Sequence, residues 1–157
     1  MADSTSIRVP VDGPEWLIVE SVFPSLPPEQ LMPWFVDASR LNLWWGEEAM
    51  IEPRPGGRYI VRWPAMGWTM RGVVAFCDET CLAYSWTWDH ESQQPPRSVT
   101  IRAQPAGEGS ILTITHGPYR PESTYLVEEN SDRIGHRDGW LFFLEKLHAT
   151  IAQSSLG

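Results

Sequence analysis

The chain has 157 residues, of which 42% are hydrophobic and 20% charged, with a formal net charge of −8. That length sets one domain with a core large enough to need no disulfide or metal staple. So acidic a surface repels phosphate backbones and anionic bilayers, which argues against nucleic acid or a membrane as partner.

The two cysteines, Cys77 and Cys81, are spaced C-x3-C and form no disulfide framework. No apolar leader opens the chain and no run reaches the length of a membrane span. The expected location is the cytoplasm, with both thiols reduced.

Residues 1–14 are polar and end in Asp-Gly-Pro, so they read as a flexible tail ahead of a single domain over 15–157. Residues 15–23, EWLIVESVF, predict a first strand with two competing faces: Leu17, Val19 and Phe23, or Trp16, Ile18 and Val22. Pro24 ends it. Prolines then open a short amphipathic helix, with Leu31, Trp34 and Phe35 at i, i+3, i+4. Pro33 keeps that helix short. Asp37 or Ser39 caps a second short helix reaching Trp44 and Trp45.

Residues 47–53 predict a short strand, and Arg54-Pro55-Gly56-Gly57 a turn. Residues 56–88 then alternate through three runs separated by two turn signals, and hold four of the nine tryptophans. They predict a three-stranded antiparallel meander. A loop over 90–98 precedes two more strands, Val99–Ala103 and Ser110–His116, joined by a Gly/Pro-rich turn. After a long loop over 117–130, Asn130 or Ser131 caps a last helix of about five turns that ends near Gln153. Strands followed by a terminal helix indicate an α+β fold.

Tight hairpins fix which side chains share a face. A turn at 64–67 sets Trp63 opposite Trp68, Val61 opposite Met70 and Tyr59 opposite Gly72. A turn at 78–80 sets Phe76 opposite Leu82, Val74 opposite Tyr84 and Gly72 opposite Trp86. These positions form the inner face. Arg58, Arg62, Thr69, Arg71, Ser85 and Thr87 collect on the outer one. Extending the rows places Trp86 beside Ile101 and Ile114, and Trp88 beside Val99 and His116. Gly72, between two aromatic rings, either opens a hole or admits a bend. On the last helix, His136, Trp140, Phe143, Leu144, Leu147 and Ile151 fall on one arc of roughly 100°. Gly135 and Gly139 cost helix stability and are expected to let the helix start close to neighbouring backbone.

Trp44-Trp45, RPGG at 54–57, CLAYSWTW at 81–88, GSILTITHG at 109–117 and HRDGW at 136–140 follow one another in a familiar order and spacing. From Trp16 to Ile151 the chain resembles the heat-shock-protein ATPase activator-homologue-like branch of the START-related, birch-pollen-allergen-like superfamily. The resemblance implies the helix-grip fold. A curved antiparallel sheet of six to seven strands wraps a long C-terminal helix, two short helices follow the first strand, and a cavity lies between sheet and helix. It implies no fixed catalytic set. Members bind lipids, hormones, polyketides or other apolar molecules, and some relatives catalyse cyclisation or hydrolysis. The branch takes its name from a co-chaperone domain.

The inner-face residues Tyr59, Val61, Trp63, Trp68, Met70, Gly72, Tyr84, Trp86 and Trp88, with Trp140, Phe143 and Leu144 from the helix, are the candidate ligand-binding set. The alternative for each is plain core packing. His116 and His136, one from the sheet and one from the helix, are the candidate acid/base groups. The alternative is a histidine satisfied within the core. His90, His116, His136 and His148 show no ligand spacing, so no metal site is expected, and no cofactor fingerprint or nucleophile elbow is present. Cys77 and Cys81 flank the second hairpin turn and are expected on the same outer face.

Three functions follow. The leading one is binding of a small apolar or aromatic ligand in the cavity. The second is a cofactor-independent cyclase, isomerase or hydrolase in the same cavity. The third is a chaperone-modulating, stress-response interaction protein. A monomer or a homodimer is expected.

Overall fold

The computed structural model describes residues 6–91, 96–120, 122 and 126–154. Eight antiparallel strands form one open sheet: β1 (Ile7–Asp12), β2 (Leu17–Phe23), β3 (Glu48–Ile51), β4 (Arg58–Trp63), β5 (Trp68–Cys77), β6 (Cys81–Trp88), β7 (Arg97–Ala106) and β8 (Gly109–Gly117). Their order across the sheet is β1-β2-β8-β7-β6-β5-β4-β3. Three short helices, α1 (Pro28–Leu31), α2 (Pro33–Val36) and α3 (Ala38–Trp44), link β2 to β3. The long α4 (Leu126–Ser154) packs on the sheet's inner face. The architecture is α+β as expected, with one strand more than the six to seven anticipated.

The extra strand comes from the expected tail. Ile7–Asp12 pairs with β2, and Ile7 and Val9 pack against the core. Pro10 and the following Asp-Gly-Pro look like strand breakers. On an edge strand, however, a proline forfeits no ladder bond, and the register shifts between Arg8 and Val11. Asp12 closes the strand by accepting hydrogen bonds from Arg133 and Arg137 of α4, at 3.0 and 2.7 Å.

On β2 the inner face is Leu17, Val19, Ser21 and Phe23, all buried. The sequence pattern was ambiguous because the inward Ser21 is polar. Ser21 lies 2.7 Å from His148 Nε2 of α4, and His148 stacks on Phe23 at 4.0 Å. Pro33 splits the first expected helix into α1 and α2, since a proline nitrogen cannot donate into the preceding turn. Asp37 caps α3 by accepting the Ser39 N–H at 3.0 Å.

The β4–β5 hairpin has the predicted register: Trp63 faces Trp68, Val61 faces Met70 and Tyr59 faces Gly72. In β5–β6, Val74 faces Tyr84 as predicted, but the register then slips, setting Phe76 opposite Ala83 and Cys77 opposite Leu82. A bulge of this kind reverses every later side chain. Phe76 therefore points to solvent, 48% exposed, instead of inward. Cys77 points inward with Leu82. Cys81, its neighbour, takes the other face, so the two thiols do not share the outer face.

The longer row extension holds from β7 to β8, where Val99 faces His116 and Ile101 faces Ile114, and fails only at the step from β6 to β7. Trp86 pairs with Arg97, and Val99 with Tyr84. The strand begins at Arg97, inside the expected loop, and carries this arginine into the interior. Finally, α4 starts at Leu126 rather than near Asn130. Glu128 and Glu129 occupy its first turn, where carboxylates favour the positive end of the helix dipole.

Candidate functional site

The site is built from the tryptophans. Strands β4, β5 and β6 bring Trp63, Trp68, Trp86 and Trp88 to the inner face. The residue after α3 adds Trp45, and α4 adds Trp140. Together with Met66, Phe143, His136, Gly135 and Gly139 they line a cavity of about 290 Å³. Trp45 stacks on Trp140 at 5.3 Å and meets Trp63 edge-on at 5.6 Å. Trp86 meets Trp88 edge-on at 5.3 Å. Rigid two-ring side chains with fixed edge and face preferences do not fill space the way leucines do. Met66 and Trp68, at the rim, are largely exposed.

Hydrogen bonds hold these rings in place. Trp63 Nε1–H donates to the Trp45 carbonyl at 2.7 Å. Trp88 Nε1–H donates to His136 Nε2 at 3.3 Å, and Trp140 Nε1–H to His116 Nδ1 at 3.0 Å. His136 Nδ1 lies 2.7 Å from the Tyr119 hydroxyl. His116 and His136 stack at 4.3 Å, nearly parallel. Both are held neutral. Burial, then the neighbouring His136 and Arg97, pushes the His116 pKa well below its ordinary value. Burial, then Arg97, pushes His136 down to about 3.

Behind this pair lies a buried ion cluster. Arg97 donates to Glu129 at 2.6 Å, to Asp132 at 2.9 Å and to the Pro118 carbonyl at 2.9 Å. Its guanidinium sits 4.4 Å over the Tyr119 ring. Glu129 also accepts the Arg120 N–H at 2.6 Å. Burial alone would lower the Arg97 pKa, and the bonds to Glu129 and Asp132 outweigh it. The cluster fastens the first turns of α4 to the sheet and fixes Tyr119, which in turn holds His136.

Of the candidate ligand-binding residues, Trp63, Trp68, Trp86, Trp88, Trp140 and Phe143 line the cavity. Tyr59, Val61, Met70, Tyr84 and Leu144 lie in the packed core beside it. Tyr59 and Tyr84 stack at 4.0 Å, and the Tyr59 hydroxyl donates to the Phe35 carbonyl at 2.6 Å. Gly72 resolves as a close approach of chains rather than open space, because a Cβ there would overlap the Ser85 carbonyl. His136 faces the cavity, and His116 stands behind it, fully buried.

Sequence reasoning missed Trp45, Met66 and the two glycines as lining residues, and Arg97 altogether. Gly135 and Gly139 were expected to admit neighbouring backbone. Instead, a Cβ at either would meet nothing within 4 Å. Their helical spacing from Trp140 and Phe143 was the available signal. Among the described residues no group of three His, Cys, Asp or Glu side chains could hold a metal ion, and no helix is long and apolar enough to cross a membrane.

The family model described as Activator of Hsp90 ATPase homolog 1-like protein matches residues 25–152. No curated protein matches the chain in sequence. Among solved structures, a Mesorhizobium loti protein superposes with a TM-score of 0.75 at 22% identity, covering 88% of this chain and 97% of that one. An HSP90 activator from Plasmodium falciparum superposes with a TM-score of 0.69 at 18% identity, covering 88% and 97%. DynU16, a protein of the dynemicin biosynthetic locus, superposes with a TM-score of 0.71 at 17% identity, covering 90% of this chain and 49% of that one. At these identities the likeness is one of fold.

Proposed function

The chain belongs to the Activator of Hsp90 ATPase homolog 1-like family, and from that premise we propose that it binds a small aromatic molecule in the cavity between α4 and the sheet. The observation that carries this reading is the cavity itself. Six indoles surround it, and the helix turns two glycines toward it. Each glycine costs the helix about 1 kcal/mol relative to alanine, and neither is needed for close packing. A cost without a packing return supports a role for the space. A volume of about 290 Å³ sits at the low end of ligand pockets, which suits two or three fused rings better than a long acyl chain. The place of DynU16 in a biosynthetic locus supports a small-molecule reading of the same fold.

The histidines favour binding over catalysis. His136 has both ring nitrogens engaged, by Tyr119 and Trp88, and His116 has Nδ1 engaged by Trp140. They hold the wall and leave little capacity for moving a substrate proton.

Titration with fluorene tests the reading through tryptophan emission. Saturable quenching at one site is expected. Absence of quenching by fluorene and by other fused-ring compounds, together with retention of the chain on an Hsp90-type chaperone, would replace it with an interaction role.

A further inference from the structure

What a ligand would touch in the cavity is almost wholly carbon. Of the ring nitrogens in its wall, Trp63 Nε1–H is spent on the Trp45 carbonyl, Trp88 Nε1–H on His136 and Trp140 Nε1–H on His116. His136 has both nitrogens engaged. Trp86 Nε1 has no partner, but it is packed out of reach of even a water-sized group. No Lys, Arg, Asp or Glu lines the space.

The two ends of the cavity differ. At the inner end Trp45, Trp86 and Trp140 are 5%, 6% and 3% exposed, and their rings meet one another at 5.3–6.0 Å. At the outer end Met66 is 58% and Trp68 42% exposed, and Gly135 of α4 is exposed as well. The Trp68 ring there lies 6.3 Å from that of His90, another exposed residue. The space therefore meets water between Met66, Trp68 and Gly135. A polar group carried to the inner end would lose its water and find no partner, which costs about tenfold or more in affinity. The same group left at the outer end keeps its water.

We propose that the cavity takes a one-ended amphipathic aromatic molecule. Its hydrocarbon rings enter against Trp45, Trp86 and Trp140, and its single polar end stays in water between Met66, Trp68 and Gly135. This rests on the ligand-binding reading above and adds the ligand's polarity and direction to it.

Fluorene, 2-fluorenemethanol and 2,7-fluorenedimethanol share one ring system and carry a hydroxyl at neither, one or both ends. Dissociation constants from quenching of tryptophan emission should be equal for the first two and about tenfold or more weaker for the third, which must bury one hydroxyl unpaired. A loss at each added hydroxyl would mean that no end of the ligand reaches water. Equal affinity for all three would mean that the inner wall accepts polar groups. Either result overturns the proposal and leaves the cavity reading standing, whereas binding of none overturns both.

Met66→Lys locates the polar end. The position is mostly exposed, and the new ammonium would stand at the proposed mouth. It should tighten binding of fluorene-2-carboxylate about threefold, as one exposed ion pair does, and leave fluorene unchanged. An unchanged affinity for the carboxylate, or the same gain for fluorene, would overturn the direction assigned to the ligand.

Discussion

The two halves of α4 are held to the same sheet by different means. The C-terminal half packs as a helix in a core does. Leu144 and Leu147 are fully buried, and His148 meets Ser21 of β2. The N-terminal half leaves space. Glu129 and Asp132 reach an internal arginine, His136 is held by a tyrosine and an indole, and Gly135 and Gly139 face a cavity. Leucines fill volume and need nothing else. Where the helix stands off from the sheet, directional contacts must replace that filling. A cavity can thus exist beside a firm core because an ion cluster, rather than close packing, sets the helix position.

That contrast predicts where the fold is vulnerable. Arg97→Ala leaves Glu129 buried without its partner and should cost about 3–5 kcal/mol in urea unfolding. A loss below about 1 kcal/mol, as for an exposed ion pair, would remove the basis of the comparison.

Acid should act on the same half. In the unfolded chain the two histidines titrate near 6.5, while in the fold His116 lies well below that and His136 falls to about 3. Below pH 6.5 the unfolded chain takes up protons that the fold refuses. Stability from this source is full above that pH and is lost as pH falls toward 3. The slope is up to about 1.4 kcal/mol per pH unit for each histidine. Urea midpoints at pH 7 and pH 5 measure it, and His136→Gln should flatten the slope.

The smallest effect has the opposite sign. Gly139→Ala places a methyl in open space and should stabilise the chain by up to about 1 kcal/mol. The same change destabilising the chain would mean that α4 needs a bare backbone there.

How much of this was legible beforehand depends on the kind of contact. The β4–β5 hairpin is spaced by its own turn, so alternation alone put Trp63, Trp68, Met70 and Val61 in register. One turn later the bulge between Val74 and Phe76 turned Phe76 outward and sent Cys77 and Cys81 to opposite faces. Nothing local marks that bulge, because the alternation reads smoothly through it. A separate miss lies at the step from β6 to β7, where the sequence carries no tight-turn signal to set the register, which is why Arg97 was left in a loop although it lies opposite Trp86. A buried arginine is legible only through partners more than thirty residues away in the chain. Pro10 misled in the reverse direction, since its tolerance on an edge strand depends on knowing which strand is the edge. The two glycines of α4 were noticed and given the wrong neighbour. Helix period gives their direction but not what stands opposite.

The central claim is that α4 keeps this space open for a ligand, and Gly139→Leu addresses it most directly. The leucine would enter the cavity from a backbone position with nothing within 4 Å of its Cβ. Fluorene should quench wild-type tryptophan emission saturably and leave the variant unquenched, while the variant's urea midpoint stays at or above that of wild type. Equal quenching in both proteins, with the variant folded, would contradict the account.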